Sequence, residues 1–201
     1  TAILNPHLTD EKYPFKNLAA VGVVFKVVQA LWKSFNLEIG KEKWFLDIVC
    51  IATIADMMDL TGENRILVKY GLVVLNKTKR VGLNSLINTL QYKSKELGVY
   101  EVGFLIGPRI NAAGRIEHAT GAYELLETSD TAEADSLAHE ALRRISVLKH
   151  LHNHWRISHP NIIKEEWLDN SYDDCISLCL TKLERKKLSS DVAAVGFSDE
   201  R

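Results

Sequence analysis

What is scarce in this sequence limits it first. Cysteine occurs only at positions 50, 175 and 179, an odd set with a single close pair, which excludes a disulfide scaffold and fits a reducing compartment. A cytoplasmic location is the expectation. Neither charge sign is in clear excess: 25 Lys and Arg stand against 26 Asp and Glu, a net charge of -1. No global field then draws the chain to nucleic acid, and any such contact must rest on a local basic patch. No uninterrupted apolar run reaches spanning length and no basic segment followed by an apolar one opens the chain, so neither membrane insertion nor a secretory leader is expected. A P-loop, a dinucleotide fingerprint and a serine-nucleophile elbow are missing too. The first residue is Thr1 rather than methionine, which predicts an excised or internal piece of a longer product. What is present is core material: 46% of the 201 residues are hydrophobic, enough for one sizeable domain, or one domain and part of another.

Proline at positions 6 and 14 disfavours helix in the residues before each, so the chain should open as a loop. From Asn17 onward Leu18, Val21, Phe25, Val28, Trp32 and Phe35 recur at helical spacing, the one-sided stripe of an amphipathic helix. Gly22 within it is either merely tolerated or marks the close approach of another backbone. The stretch from Lys41 to Met58 reads as a helix buried nearly all round. Its centre, Ile48 to Ile54, is β-branched enough for a parallel strand, and the length of the run favours helix. Thr61-Gly62-Glu63 should open a further helix to about Leu75, and a shorter one should cover Leu83 to Tyr92. Gly98 to Arg115 is punctuated by glycine and poor in acid, a segment where a ligand could reach the backbone. Asp130 followed by Glu133 resembles a capping box, and Ala134, Leu137, Ala138, Ala141, Ile145, Leu148 and Trp155 continue a long helical stripe. The closing stretch suggests a helix over 174–187 and a short strand over 192–197.

Chemistry has few places to sit. Asp56 directly follows an apolar run, where an unpartnered carboxylate would need a cation, a donor or water; alternatively it is a solvated helix end. Asp59, three residues on, could share its face and help hold a divalent cation. Arg109 and Arg115 flank Ile-Asn-Ala-Ala-Gly, a pattern in which small residues admit an anion and forked donors match phosphate oxygens. The plainer alternative is a turn whose arginines cap carbonyls or pair with Glu117. Of His150, His152 and His154 only the first and last share a helix face, and the group reads as a solvated, mildly basic face with Arg143, Arg144, Lys149 and Arg156 rather than a metal site. Cys175 and Cys179 lack the second ligand pair that zinc needs.

Taken in order, several blocks become specific. They are Asn5-Pro6, Tyr13 to Val23, Asp47 to Asp56, Gly62-Glu63-Asn64-Arg65, and above all Gly107-Pro108-Arg109-Ile110-Asn111-Ala112-Ala113-Gly114-Arg115. Over Thr1 to Arg144, about seven tenths of the chain, this succession resembles RecJ-type single-strand DNA exonucleases of the DHH phosphoesterase superfamily. The resemblance implies an α/β parent domain with a parallel sheet, of which this piece is predominantly α-helical. It divides the chain into the C-terminal part of a DHH catalytic domain (1–130), a linker helix (131–165) and an unassigned tail (166–201). It implies 5′ to 3′ hydrolysis of single-stranded DNA by a two-metal mechanism with Mn²⁺ or Mg²⁺, in recombination and repair. Asp56 would be a catalytic metal ligand, while Arg115, Arg109 and Asn111 would contact substrate phosphate. The family's Asp-His-His signature has no match here, so the chain alone should be inactive. Ala20 and Ala52 stand where the family usually has glycine, and Asp59 where proline is common. Two alternatives stay open: another DHH phosphoesterase acting on short oligonucleotides or cyclic dinucleotides, and a non-catalytic single-strand-binding relative.

Overall fold

Helix α1 (Ala20–Ser34) begins just after Leu18 and Ala19, both buried, and turns Phe25 inward. A Cβ built on Gly22 would meet the Leu18 side chain at 2.8 Å. That close contact is with the helix's own lead-in, not with another backbone. Leu18 and Phe25 join Leu46, Val49 and Leu67 in a core cluster that Tyr13, Phe15, Val21, Val23 and Val74 surround. The computed structural model describes residues 3–9, 11–90, 96–116 and 120–158, without the side chains at 113–116, 148 and 151–158. Among the described residues there is no strand.

A short 3₁₀ turn (Lys41–Phe45) leads into α2 (Leu46–Ala55), in which Leu46, Asp47, Val49, Cys50, Ile51, Thr53 and Ile54 are all buried. Burial on nearly every side explains why a β-branched run is helical: packing outweighs the small propensity deficit of isoleucine, valine and threonine. Thr53 returns its hydroxyl to the Val49 carbonyl (2.7 Å), so its polar atom is satisfied inside the core. Helix α3 (Gly62–Leu75) lies against α2 so closely that a Cβ on Gly71 would run into Cys50 Cβ and the Leu46 carbonyl oxygen. The buried Asp47 carboxylate accepts from Thr78 Oγ1 (2.9 Å) and Arg80 Nε (3.0 Å), which ties the loop after α3 to the start of α2. Burial first, and the Asp47 charge second, push the Cys50 thiol up to about 12, so this cysteine is an inert core residue.

Helix α4 (Val81–Asn88) stops before the expected Tyr92, which lies outside the described residues. Its Leu83 and Leu86 are fully buried. The segment read in the sequence as one where a ligand could reach the backbone is continuously helical from Val99: α5 (Val99–Glu101), a π-helical turn (Val102–Ile106) and α6 (Gly107–Ile116). The widened turn has a local cause, since Pro108 has no N–H to offer the preceding turn. Asn76 anchors this segment by donating to the Leu97 carbonyl (3.0 Å) and accepting from the Leu97 N–H (2.8 Å). Helices α7 (Thr120–Glu127) and α8 (Thr131–Ser158) follow. At the start of α8 the Glu133 N–H donates to Asp130 Oδ1 (2.8 Å), but the Glu133 carboxylate takes the Thr128 hydroxyl instead of closing the reciprocal box. Ser85 on α4 donates to Asp135 on α8 (2.6 Å).

The chain divides into two compact units, Thr1–Glu140 and Ala141–Arg201. The described part of the second is the remainder of α8, where Ala141 and Ile145 are buried. The helix expected over 174–187, the strand over 192–197 and the cysteines at 175 and 179 all lie outside the described residues. Among those described, no helix is long and apolar enough to cross a membrane.

This packing sets the expected response to two substitutions. A Cβ on Gly82 would collide with the Leu125 carbonyl oxygen, so Gly82→Ala should cost at least about 2 kcal/mol and lower Tm by roughly 4–8 °C, despite alanine's better helix propensity. Thermal melts that leave this variant as stable as the parent would contradict the packing of α4 on α7. The second concerns Glu63, which holds Lys26 Nζ (2.6 Å) and the Tyr13 hydroxyl (2.7 Å). Burial alone would raise its pKa, but the hydrogen bonds from Lys26 and Tyr13 and the Lys26 charge outweigh it and hold the carboxyl below its usual range. A depressed folded-state pKa stabilises above the unfolded value of about 4.3 and is lost as pH falls through the folded value. Stability of Glu63→Gln should therefore fall less steeply than the parent's below about pH 4.3, as urea titrations across that range would show.

Candidate single-strand interface

Asp56 caps the C-terminal end of α2, where its N–H donates to the Ala52 carbonyl (2.9 Å) and its side chain is exposed. The helix ends with Met57 N–H on the Ile54 carbonyl (3.0 Å) and Met58 N–H on the Thr53 carbonyl (3.3 Å), the paired closing bonds of a Schellman motif. That motif needs a left-handed residue, and here Met57 supplies it at φ +53°. Glycine usually takes this position, and a side chain there costs about 1–2 kcal/mol. Backbone strain thus sits directly beside the candidate ligand.

Asp59 is also exposed, and its carbonyl accepts from Asn64 Nδ2 (3.1 Å). The same amide group donates to the Asn17 carbonyl (2.7 Å). Asn64 is fully buried, with Oδ1 left without a partner. It therefore stitches together the lead-in to α1, the turn after α2 and the first turn of α3. Sequence reasoning quoted Asn64 within a motif but gave it no role. The available signal was an amide one turn into a helix start, where side-chain donors reach neighbouring carbonyls.

The segment with the two arginines comes up against this turn. A Cβ on Gly103 would touch Ile54 Cγ2 at 3.4 Å, and one on Gly107 would meet Ala55 Cβ at 3.2 Å. The start of α6 thus abuts the residue just before Asp56. Arg109 is half-buried; Nη1 donates to the Leu105 carbonyl (2.7 Å), while Nε is buried without a partner. Burial lowers its pKa, although a guanidinium remains charged at any ordinary pH. Capping a carbonyl is the plainer of the roles the sequence allowed, and Arg109 does play it. Asn111 is half-buried on the same helix and Ala112 is buried.

Because α6 is a helix and not a turn, its register distributes these residues. Positions 111 and 115 are one turn apart and share a side, while position 109 lies about 120° round the axis from 115. The two arginines occupy opposite flanks of the buried Ala112, not a single cradle. The Arg115 side chain lies outside the described residues. The structure therefore brings Asp56, the start of α6 and Arg109 into one region and separates positions 109 and 115 round the helix.

Whether these residues suit a metal follows from the donor set. Among the described residues, no group of three or more His, Cys, Asp or Glu side chains could hold an ion. Asp56 with Asp59 offers too few ligands for one divalent cation, and far too few for a pair. His150 lies on α8 and is exposed, while the side chains of His152 and His154 lie outside the described residues.

Comparison with known proteins gives these positions a setting. No family model matches the chain. It is 42% identical over 139 residues to the single-stranded-DNA-specific exonuclease RecJ of Bacillus subtilis, covering 69% of the chain and 17% of that protein. The Escherichia coli enzyme of the same name is 35% identical over 149 residues, covering 69% of the chain and 26% of the relative. The chain thus spans about a quarter or less of the curated relatives it matches. Among solved structures, RecJ of Thermus thermophilus in complex with Mg²⁺ superposes with a TM-score of 0.65 at 34% identity, over 73% of this chain and 23% of that one. A manganese-bound exonuclease RecJ gives 0.67 at 35% identity, over 76% and 38%. The helical architecture of the described residues is matched in these proteins, and over about seven tenths of its length the chain is homologous to a segment of RecJ exonucleases.

Proposed function

We propose that the chain is part of a 5′ to 3′ single-stranded DNA exonuclease acting in recombination and repair in the cytoplasm. On this reading residues 1–130 are the C-terminal part of a DHH catalytic domain whose parallel sheet lies elsewhere in the parent protein. Residues 131–165 serve as the linker, and 166–201 remain without an assigned role. Asp56 is one acidic ligand of a site for two Mn²⁺ or Mg²⁺ ions, whose remaining ligands are not among the described residues. Arg115, Arg109 and Asn111 receive phosphate.

One observation supports this reading most: a Cβ built on Gly107 would meet Ala55 Cβ at 3.2 Å. The arginine-bearing helix thus starts against the residue that precedes Asp56, in keeping with the nearness of cation and carboxylate that phosphodiester chemistry needs. Guanidinium offers a charged fork matched to phosphate oxygens, and a carboxylate gives a divalent ion an oxygen ligand. Metal-assisted hydrolysis needs several converging ligands, and the described residues supply no complete centre. The contribution of this segment is to bind and orient a strand, which favours single-strand binding without hydrolysis for the chain by itself.

The purified chain should bind a 5′-phosphorylated oligothymidylate and leave it uncut in Mn²⁺. Affinity should fall as salt rises, and Arg115→Ala should reduce the slope of log affinity against log salt by about 0.7, the value of one phosphate contact on a single strand. Mn²⁺-dependent cleavage lost in Asp56→Ala would show that the ligand set has been misjudged. An unchanged salt slope in Arg115→Ala would remove the phosphate role.

A further inference from the structure

The phosphate contacts leave one conspicuous feature of the same segment unused. Tyr100 and Phe104 lie one turn apart and remain 63% and 68% exposed. Their ring centroids are 4.9 Å apart and their planes are inclined by 29°. Each ring covers one face of the other, and the high exposure leaves the second face of each in solvent. The π-helical turn supports this arrangement, because Gly103 and Gly107 turn toward Ile54 and Ala55, while positions 100 and 104 lie on another side of the helix. Further along the same segment Arg109 Nη1 donates to the Leu105 carbonyl. The nearby Glu101 carboxylate is engaged by the Gly98 N–H (2.8 Å), which moderates its charge. A planar, open apolar surface therefore precedes, on the same helical segment, the half-buried guanidinium of Arg109.

Another aromatic and basic surface lies at the far end of α2, where Lys79 stands 5.4 Å from the Trp44 ring centroid and Arg80 5.8 Å from that of Phe45. There the cations are occupied by the rings and Arg80 is also bound to the buried Asp47. The surface at Tyr100 and Phe104 has the opposite character, with stacked rings that remain largely exposed.

We infer that Tyr100 and Phe104 form a stacking platform for the bases of an unpaired strand whose backbone passes along α6. This rests on the single-strand reading and adds a physical source for strand selectivity. A base in a duplex is covered on both faces by its neighbours, whereas an unpaired base can transfer one face to an aromatic ring. Stacking of this kind tolerates any sequence, because every base has a π-face. A protein partner docking on the same surface would need apolar area but not flat rings, and that difference makes the inference testable.

Fluorescence anisotropy of the 201-residue chain with a labelled oligothymidylate and with an abasic oligomer of equal length separates base from backbone. The parent chain should prefer the base-bearing strand by about tenfold, the scale of one stacked base. Phe104→Leu and Tyr100→Leu, verified as folded by circular dichroism, should lose that preference while binding the abasic strand as before; Phe104→Trp should keep it. Leucine variants that retain the preference would overturn the platform and leave an apolar docking surface for protein. An equal loss on both oligomers would overturn it as well. A parent chain that binds neither oligomer would overturn both the platform and the single-strand reading. Loss of preference in Phe104→Leu together with an unchanged salt slope in Arg115→Ala would retain the platform and remove only the arginine assignment.

Discussion

The packing of α2 against α3 and against the turn before α6 is the constraint from which the remainder of the first unit follows. A ten-residue helix buried on almost every side has little freedom to shift, and its two ends are secured by different means. At its start the Asp47 carboxylate gathers Thr78 and Arg80. At its end Met57 accepts a left-handed backbone so that the last carbonyls are satisfied. Between these ends Gly71 lets α3 approach the α2 backbone. Removing a partner from a buried carboxylate costs several times what an exposed pair contributes, so the Asp47 group weighs more in the fold than the half-exposed pair of Lys26 and Glu63.

Function then follows from where rigidity ends. The interior of α2 carries no reactive group: Cys50 is sealed and its thiol strongly disfavours ionisation. The first exposed polar side chain beyond the buried run is Asp56, and the first residue of α6 packs against Ala55, the residue before it. A carboxylate on a pinned helix end has a defined position without being buried, which is what a metal ligand awaiting further ligands requires. Arg109 is held by the Leu105 carbonyl and retains donors for an anion. Tyr100 and Phe104, one segment earlier, add a pair of stacked and exposed rings.

Much of this was legible in the sequence, for identifiable reasons. The stripes over α1 and α3 gave both helices, and the length of the run through α2 decided correctly between helix and strand. The order of the motif blocks indicated the family, and the solved relatives carry Mg²⁺ or Mn²⁺. Three features escaped. Glycine spacing from Gly98 to Gly114 suggested a segment where a ligand could reach the backbone, whereas here Gly103 and Gly107 permit close helix packing against Ile54 and Ala55. Two arginines flanking a small-residue stretch suggested one cradle, but helical register carries positions 109 and 115 to different flanks. Gly22 left both simple tolerance and a crossing backbone open, and the contact is with the Leu18 side chain. Each depends on the direction in which a side chain leaves an element, and local spacing carries that information only once the element type is known.

If the end of α2 and the α5 to α6 segment make one surface for a single strand, a bound strand must perturb both together. Amide NMR of the chain titrated with a 5′-phosphorylated oligothymidylate tests this directly. Shifts concentrated at Asp56 to Met58 and Tyr100 to Arg109 are predicted, with little change at Trp44, Lys79 and Arg80. Shifts gathered around Trp44 and Arg80, with Asp56 and Phe104 unmoved, would contradict it.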